Sequence, residues 1–460
     1  MPRATEPDAA GGEGFDRRLI APMVLGSVLN PLNTSLLAVA LVPIGIAFGA
    51  PPSETAWLVS ALYLACAVGQ PVVGRLVDTY GPRRLYLIGT ALTGAAGLLG
   101  TFAPTLGWLV VARVLIGLGT CAGYPAAMAL IKREGRRTGQ ASPAGVLATL
   151  SFANQVIAVV GPSLGGLLVD LGGWRTVFFV NVPFAIACLV LGGLILPKDD
   201  TPDAAAARSP RRRWDVPGIV LFAVALVSLM LFLMDPAVEA AWLVGITAVA
   251  GAGFAWRELR TEDPFLDVRV LGQNRPLLLT YVRQMLSAVV MYCVVYGLPQ
   301  WLEHGRGLSP SHTGLVVLPM FATAMLFTVL TGRRSAILGK LLAGSIAQVL
   351  ACAALLLLDG GTAVVWLCVA AALHGIPQAL NGLANQNALY EQATPDQIGA
   401  ASGLFRTFMY LGALSATAAT ASAFRQQPDT AGLHALALFA TACALILLAT
   451  VVTELLIRRR

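Results

Sequence analysis

Apolar residues come in long blocks of about 20 residues or more, parted by short segments rich in charge, glycine and proline. Within a block apolar and polar positions do not alternate strictly, so the blocks read as helices and not as barrel strands. Breaking the chain at its charged and turn-rich segments predicts fourteen spans: 20–45, 54–74, 85–103, 107–130, 143–168, 174–196, 216–234, 238–256, 277–302, 310–331, 337–358, 362–388, 398–423 and 432–456. The expected fold is all-α and polytopic, with fourteen transmembrane helices. Composition agrees. The 460 residues are 57% hydrophobic and 12% charged, against about 25% charged in a soluble domain. A soluble fold of this length cannot hide so much apolar surface, so lipid is the solvent.

The net charge of +7 would point to nucleic acid in a soluble protein. Here its placement points elsewhere. With both termini on one side, twenty-five of the 31 Lys and Arg residues fall at the termini and in loops on that side. Arg175, Arg306 and Arg425 fall on the other side, and Arg113, Arg283 and Arg406 lie within spans. The bias makes the rich side cytoplasmic, and the charge becomes a topology signal. The polar N-terminus ends at Arg17 and Arg18 and leads into an apolar stretch with no small-residue cleavage pattern, so a first membrane helix is expected and not a cleaved signal.

Enzyme chemistry has little purchase. The seven cysteines are scattered through apolar blocks without a CxxC pair, and the four histidines have no zinc spacing. There is no phosphate-binding GxxxxGK[ST] loop. No cofactor, no metal and no catalytic cluster is expected.

Two loops echo each other. Gly74-Arg75-Leu76-Val77-Asp78-Thr79-Tyr80-Gly81-Pro82-Arg83-Arg84 follows the second span, and Gly332-Arg333-Arg334-Ser335-Ala336-Ile337-Leu338-Gly339-Lys340 follows the tenth. Both set Gly-Arg seven residues ahead of a second Gly followed by basic charge. Two six-span repeats, residues 1–197 and 263–460, fit this pairing, with a linker at 198–262 that carries two extra spans. Repeats of this kind mark transporters. The first loop also matches the pattern GxLaDrxGrr, with Gly74, Asp78, Gly81, Arg83 and Arg84 in register. Span 4 carries Arg113 followed by Gly117 and Gly119. Span 5 carries Gly161-Pro162-Ser163-Leu164-Gly165-Gly166, and span 6 runs from Trp174-Arg175 to Asn181-Val182-Pro183.

In these elements, over nearly its whole length, the chain resembles the major facilitator superfamily, and within it the fourteen-spanner drug:proton antiporters. The resemblance implies a bacterial cytoplasmic membrane, alternating access, and export of a small organic molecule against protons. It implies that Gly74, Arg75, Asp78, Gly81, Arg83 and Arg84 form a switch. The charges of that loop are expected to clasp one state shut. Gly161, Pro162 and Gly165 are expected to bend span 5 and to strip one face for a tight seam between the halves. Two positions depart from the family pattern: Asn33 stands where span 1 usually carries an acid, and the second copy of the loop motif has Ala336 in place of its acid.

Polar residues inside the spans mark a candidate pathway. In span 12, His374, Gln378, Asn381 and Asn385 share a helical face. In span 4, Arg113, Gly117, Thr120 and Tyr124 repeat that spacing, and in span 13 Ser402, Arg406 and Tyr410 lie at i, i+4 and i+8. Asn30, Asn33, Asn154, Gln155, Tyr281, Arg283 and Gln284 complete the substrate-binding candidates. The other reading of each is a hydrogen bond between helices. His374 sits near mid-depth and is the candidate proton carrier. With no Asp or Glu at that depth, the three in-span arginines are expected to leave the cavity positive, favouring neutral or anionic substrates. The expected partners are that substrate, protons and the bilayer, with the protein a monomer. Two alternatives stand beside the antiporter: a proton-independent facilitator of an anionic metabolite, and an amphiphile or lipid translocase.

Overall fold

The computed structural model describes residues 15–139, 144–199, 215–234, 238–261, 264–266, 268–334, 336–424 and 428–459. Several residues of the charge count, Arg3, Arg208, Arg211, Arg212, Arg213, Arg425 and Arg460, lie outside them. Each of the fourteen apolar segments coincides with a helix. These are α1 (Ile20–Phe48), α2 (Trp57–Tyr80), α3 (Pro82–Thr101), α4 (Leu106–Thr138), α5 (Ala144–Gly172), α6 (Arg175–Ile195) and α7 (Val216–Met234). Then come α8 (Trp242–Glu258), α9 (Arg275–Gln300), α10 (Pro310–Thr331), α11 (Ile337–Leu355), α12 (Val364–Gln392), α13 (Ile398–Ala423) and α14 (Thr430–Arg459).

Among the described residues, 11 helices are both long and apolar enough to cross a membrane. The other three are α3, α8 and α13. Glycine and threonine dilute α3, α8 has only 17 residues, and α13 carries Ser402, Arg406, Thr407 and Tyr410. Hydropathy alone also places some ends too early. α2 runs on to Tyr80 and α4 to Thr138, because their last turns are polar and stand clear of the apolar layer. α4 breaks between Thr120 and Gly123. Pro125 has no N–H for the carbonyl four residues back, so the ladder cannot run through unbroken.

The first six helices and the last six pack by one scheme. α1 lies along α5, α2 and α3 along α4, and α3 along α6; eight helices later, α9 lies along α13, α10 and α11 along α12, and α11 along α14. Between the groups, α2 packs on α13 and α5 on α10, the pairing a two-fold relation requires. α7 lies against both α2 and α13, and α8 packs along α7. The α7–α8 hairpin is tied at mid-span by Ser228 and Thr247 (2.9 Å) and at its base by Arg257 and Asp215 (2.6 Å). There, buried Glu258 accepts the Leu266 N–H, while Arg75 of α2 donates to the Pro264 and Phe265 carbonyls.

The cores show where the two groups meet. At the end of the molecule that carries the basic loops, one apolar cluster joins Leu130, Ile131 and Leu147 to Leu389, Ile398 and Leu404. Farther along, two clusters separate: one belongs to α9–α14, the other to α1–α6 with α7, joined by Tyr410 and Leu414 of α13. The α2–α13 backbones touch because no side chain intervenes. A Cβ on Gly74 would stand 2.2 Å from the Gly399 carbonyl oxygen, and one on Gly403 would stand 2.1 Å from that of Gln70. Small residues permit this approach in lipid. Gly403→Ala is therefore expected to cost about 1–3 kcal/mol by overpacking and to lower the melting temperature of the purified protein. Gly382→Ala, which meets nothing within 4 Å, should leave it unchanged.

Candidate functional site

The loop between α2 and α3 divides its charges among separate partners. The Asp78 carboxylate reaches across to the other half, accepting the backbone N–H groups of Gly399 and Ala400 at 2.7 Å each. These N–H groups open α13, where they have no partner within the helix and the dipole is positive. Arg83 donates from its guanidinium to the Gly193 carbonyl (2.6 Å), and the Arg83 and Arg84 backbone N–H groups donate to Asp199. Gly81 (φ 94°) allows the turn, and Asp199 sits where its Cβ would be. On the far flank of the seal, Lys132 donates to the Tyr390 carbonyl and lies 4.3 Å from that ring, while the Tyr390 hydroxyl donates to the Ile131 carbonyl (3.4 Å).

The Gly161–Gly165 face corrects the expected seam. Cβ atoms there would meet Ser35 and Leu36 of α1, so the stripped face packs inside its own half. The α5–α10 seam is made elsewhere, by Gln155 donating to Thr328 (2.9 Å) and by Gly332 against Ala148. Nearby, Ser151 donates to Gln386 of α12 (2.6 Å).

Several candidate binding residues turn out to join helices within one half. Asn33 donates to the Asn181 side chain (2.7 Å) and the Leu29 carbonyl. Arg113, 1% exposed, donates to the Leu58 and Asn33 carbonyls. Asn381 donates to Gln348 of α11 (2.6 Å), while Asn385 donates to Gln284 of α9 (3.4 Å). The Tyr281 hydroxyl donates to the Ala401 carbonyl, whereas Asn154 donates to the Leu150 carbonyl of its own helix. Arg283 overturns the expectation of three uncompensated arginines. Its guanidinium holds the Glu454 carboxylate at 2.7 Å and two Thr450 oxygens. The fourteenth helix brings to Arg283 an acid, Glu454, that lies near the end of its span and was not counted at mid-depth.

His374 keeps Nδ1 against the Ala370 carbonyl (2.8 Å), and its Nε2 is buried without a partner. Gln378 Oε1, Asn385 Oδ1, Asn154 Oδ1 and Gln155 Oε1 are also buried and unpartnered. Such atoms are expensive inside protein unless something comes to meet them. Arg406 differs from the other two arginines. It is half-buried, faces the opposite half, and lies 4.1 Å from the Tyr124 ring. Around it, beside Tyr124 and Tyr410 of the polar stripes, stand Tyr63, Tyr292 and Tyr296, which an apolar–polar reading passes over because tyrosine counts as apolar. Tyr63 and Tyr410 rings lie 5.6 Å apart, and Tyr292 and Tyr296 rings 5.3 Å apart. The Tyr410 hydroxyl donates to Asn30 (2.9 Å), whose amide donates to Thr120 and Cys66. Their signal in the sequence was Tyr292 and Tyr296 one turn apart within an apolar span.

Two repeated helical halves, sealed against each other at one end and lined with polar and aromatic groups at mid-depth, define a polytopic membrane transporter. The comparisons with known proteins agree. The profile of the Major Facilitator Superfamily matches residues 23–417, and the chain belongs to that family. The MFS-type transporter YwoD of Bacillus subtilis is 34% identical over 393 residues, covering 85% of this chain and 86% of the relative. The tetracenomycin C resistance and export protein of Streptomyces glaucescens is 30% identical over 329 residues, 68% of this chain and 57% of that one. The crystal structure of the human organic anion transporter MFSD10 (TETRAN) superposes with a TM-score of 0.69 over 95% of this chain and 100% of that one, at 17% identity.

Asp78 has the clearest functional consequence. Asp78→Asn keeps the shape but removes the charge from the start of α13, a loss of about 2 kcal/mol from the sealed state. Transport is expected to fall tenfold or more at unchanged expression, measured as substrate efflux from cells carrying either form.

Proposed function

We propose that the protein exports a small organic molecule across the bacterial cytoplasmic membrane, in exchange for protons, by alternating access. In this reading residues 1–197 and 263–460 are the two moving halves, 198–262 carries the inserted pair, all fourteen helices span, and both termini are cytoplasmic. The observation that carries it is the seal at the basic end. It is built from a few groups that can part as a unit: a carboxylate on a helix start, glycine-to-backbone contacts and one apolar cluster. A two-state carrier needs such a bistable element. The direction of transport draws on the relative named for resistance and export, and on Gly161-Pro162 with Gly165-Gly166.

A second reading has a specific observation in its favour. Asn33, at the position of the family's acid, is bonded to Asn181 and carries no proton, which suits a facilitator that runs without one.

Topology and coupling are tested separately. In a background without the native cysteines, Thr105→Cys and Asp359→Cys should react with an impermeant thiol reagent in whole cells. Arg136→Cys should react only after permeabilisation, and its labelling from outside would overturn the orientation. In proteoliposomes, an imposed proton gradient should drive uptake or efflux several-fold above its absence, and His374→Gln should remove the pH response. Equal transport with and without the gradient would establish the facilitator instead.

A further inference from the structure

We propose that the space beside Arg406 takes a planar aromatic molecule bearing a carboxylate or phenolate, the guanidinium meeting the anion and the tyrosine rings meeting the plane. This rests on the reading that substrate passes between the two halves.

Of the three arginines within spans, Arg283 is neutralised by Glu454 and Arg113 is turned onto backbone carbonyls inside the first half. Arg406 alone faces between the halves, and among the described residues no carboxylate pairs with it. Its bonding is thin for a charge at this depth. Nη1 makes one long contact to the Met409 sulfur (3.7 Å), and Nε is buried without a partner. The Tyr124 ring covers one face of the guanidinium, which leaves its edge to donate. That edge, two parallel N–H groups in a plane, is the shape a carboxylate fits. An intramembrane charge left this poorly served is a site awaiting a partner.

Five of the nine tyrosines in the chain, Tyr63, Tyr124, Tyr292, Tyr296 and Tyr410, gather here from α2, α4, α9 and α13. Tyr124, Tyr292 and Tyr410 lie within electrostatic reach of Arg406, and Tyr63 and Tyr296 stand close together across the halves. Tyr63, Tyr292 and Tyr296 are half-buried although mid-helix and turned inward, so open space lies beside them. Ring faces of this kind stack on a flat ligand. They also attract cations, but a second cation would have to approach a guanidinium already held on one of those faces. An aliphatic anion would satisfy Arg406 and leave the rings unused.

The test uses the purified full-length protein at neutral pH, with dissociation constants measured by calorimetry for four probes of matched size. These are naphthalene-2-carboxylate, naphthalene-2-methanol, N-methylquinolinium and decahydronaphthalene-2-carboxylate. The naphthoate is expected to bind at least tenfold more tightly than each of the others. Arg406→Gln should abolish its preference over the neutral alcohol, and Arg406→Lys should retain only part of it. Tyr63→Leu should abolish the preference over the saturated acid. Unchanged melting curves without probe would show that the variants fold. The wild-type ranking needs no variant at all. Equal or tighter binding of the quinolinium, equal binding of the saturated acid, or no binding of the naphthoate would overturn the proposal. Failure of transport in proteoliposomes with naphthoate binding intact would instead count against the transporter reading and leave the site standing.

Discussion

The closeness of α2 to α13 governs the rest of the molecule. Two helix backbones from opposite halves meet where Gly74, Gly399 and Gly403 remove every side chain between them. Only at that separation can the Asp78 carboxylate reach the first N–H groups of α13. The contact is strong in sum and fragile in design. Each part depends on the same spacing, so a small rotation of one half releases all of them together. An interface made of long interdigitated side chains would instead yield gradually.

Lipid sets the second constraint. A polar group in a span must find a partner in the protein, or water, or a ligand. Most of the polar groups in this chain find protein. Asn33 finds Asn181, Asn381 finds Gln348, and Arg283 finds Glu454. They tie the helices within each half to one another. Among the groups left with an unpartnered atom, Arg406 and the buried oxygens of Asn154, Gln155, Gln378 and Asn385 lie on helices that also meet the other half. The division of labour is thus between polar residues that stiffen a half and polar residues that face its partner.

How much of this the chain discloses by itself depends on the range of the interaction. Helices were legible because the bilayer demands some twenty apolar residues in a row, and the repeat was legible because two loops share a spacing. The last turns of α2 and α4 were not, since polar residues that continue a helix beyond the lipid look like a loop. Polar stripes stood out against an apolar background, but the direction each one faces did not. The partner of Arg283 is 171 residues away, and no local pattern joins the two. Gly161 and Gly165 advertised a close approach without saying to which helix; α1 took it. Gly399 and Gly403 gave no more sign than any other glycine in a small-residue helix. Tyr124 and Tyr410 showed in the polar stripes, but Tyr63, Tyr292 and Tyr296 were hidden by the convention that files tyrosine with the hydrophobic residues, which matters only where a hydroxyl and a ring face are both put to use.

The inserted helix α7 has a mechanical consequence. It rests on α2 of one half and on α13 of the other, straddling one of the two seams between them, while among the described residues no helix covers the α5–α10 seam in this way. The two seams are therefore unequal. Under the proposed alternating access, a rocking motion would not leave α7 in register with both of its supports; it would slip along one. Its base is held to α2 through Arg75 and the segment after Glu258, so the slip would fall on the α13 side, and the hairpin would travel with the first half. Friction in that sliding contact would set how fast the halves exchange without touching how tightly either state holds its cargo. Molecules arriving sideways from the membrane would meet a covered flank on one side and a bare one on the other.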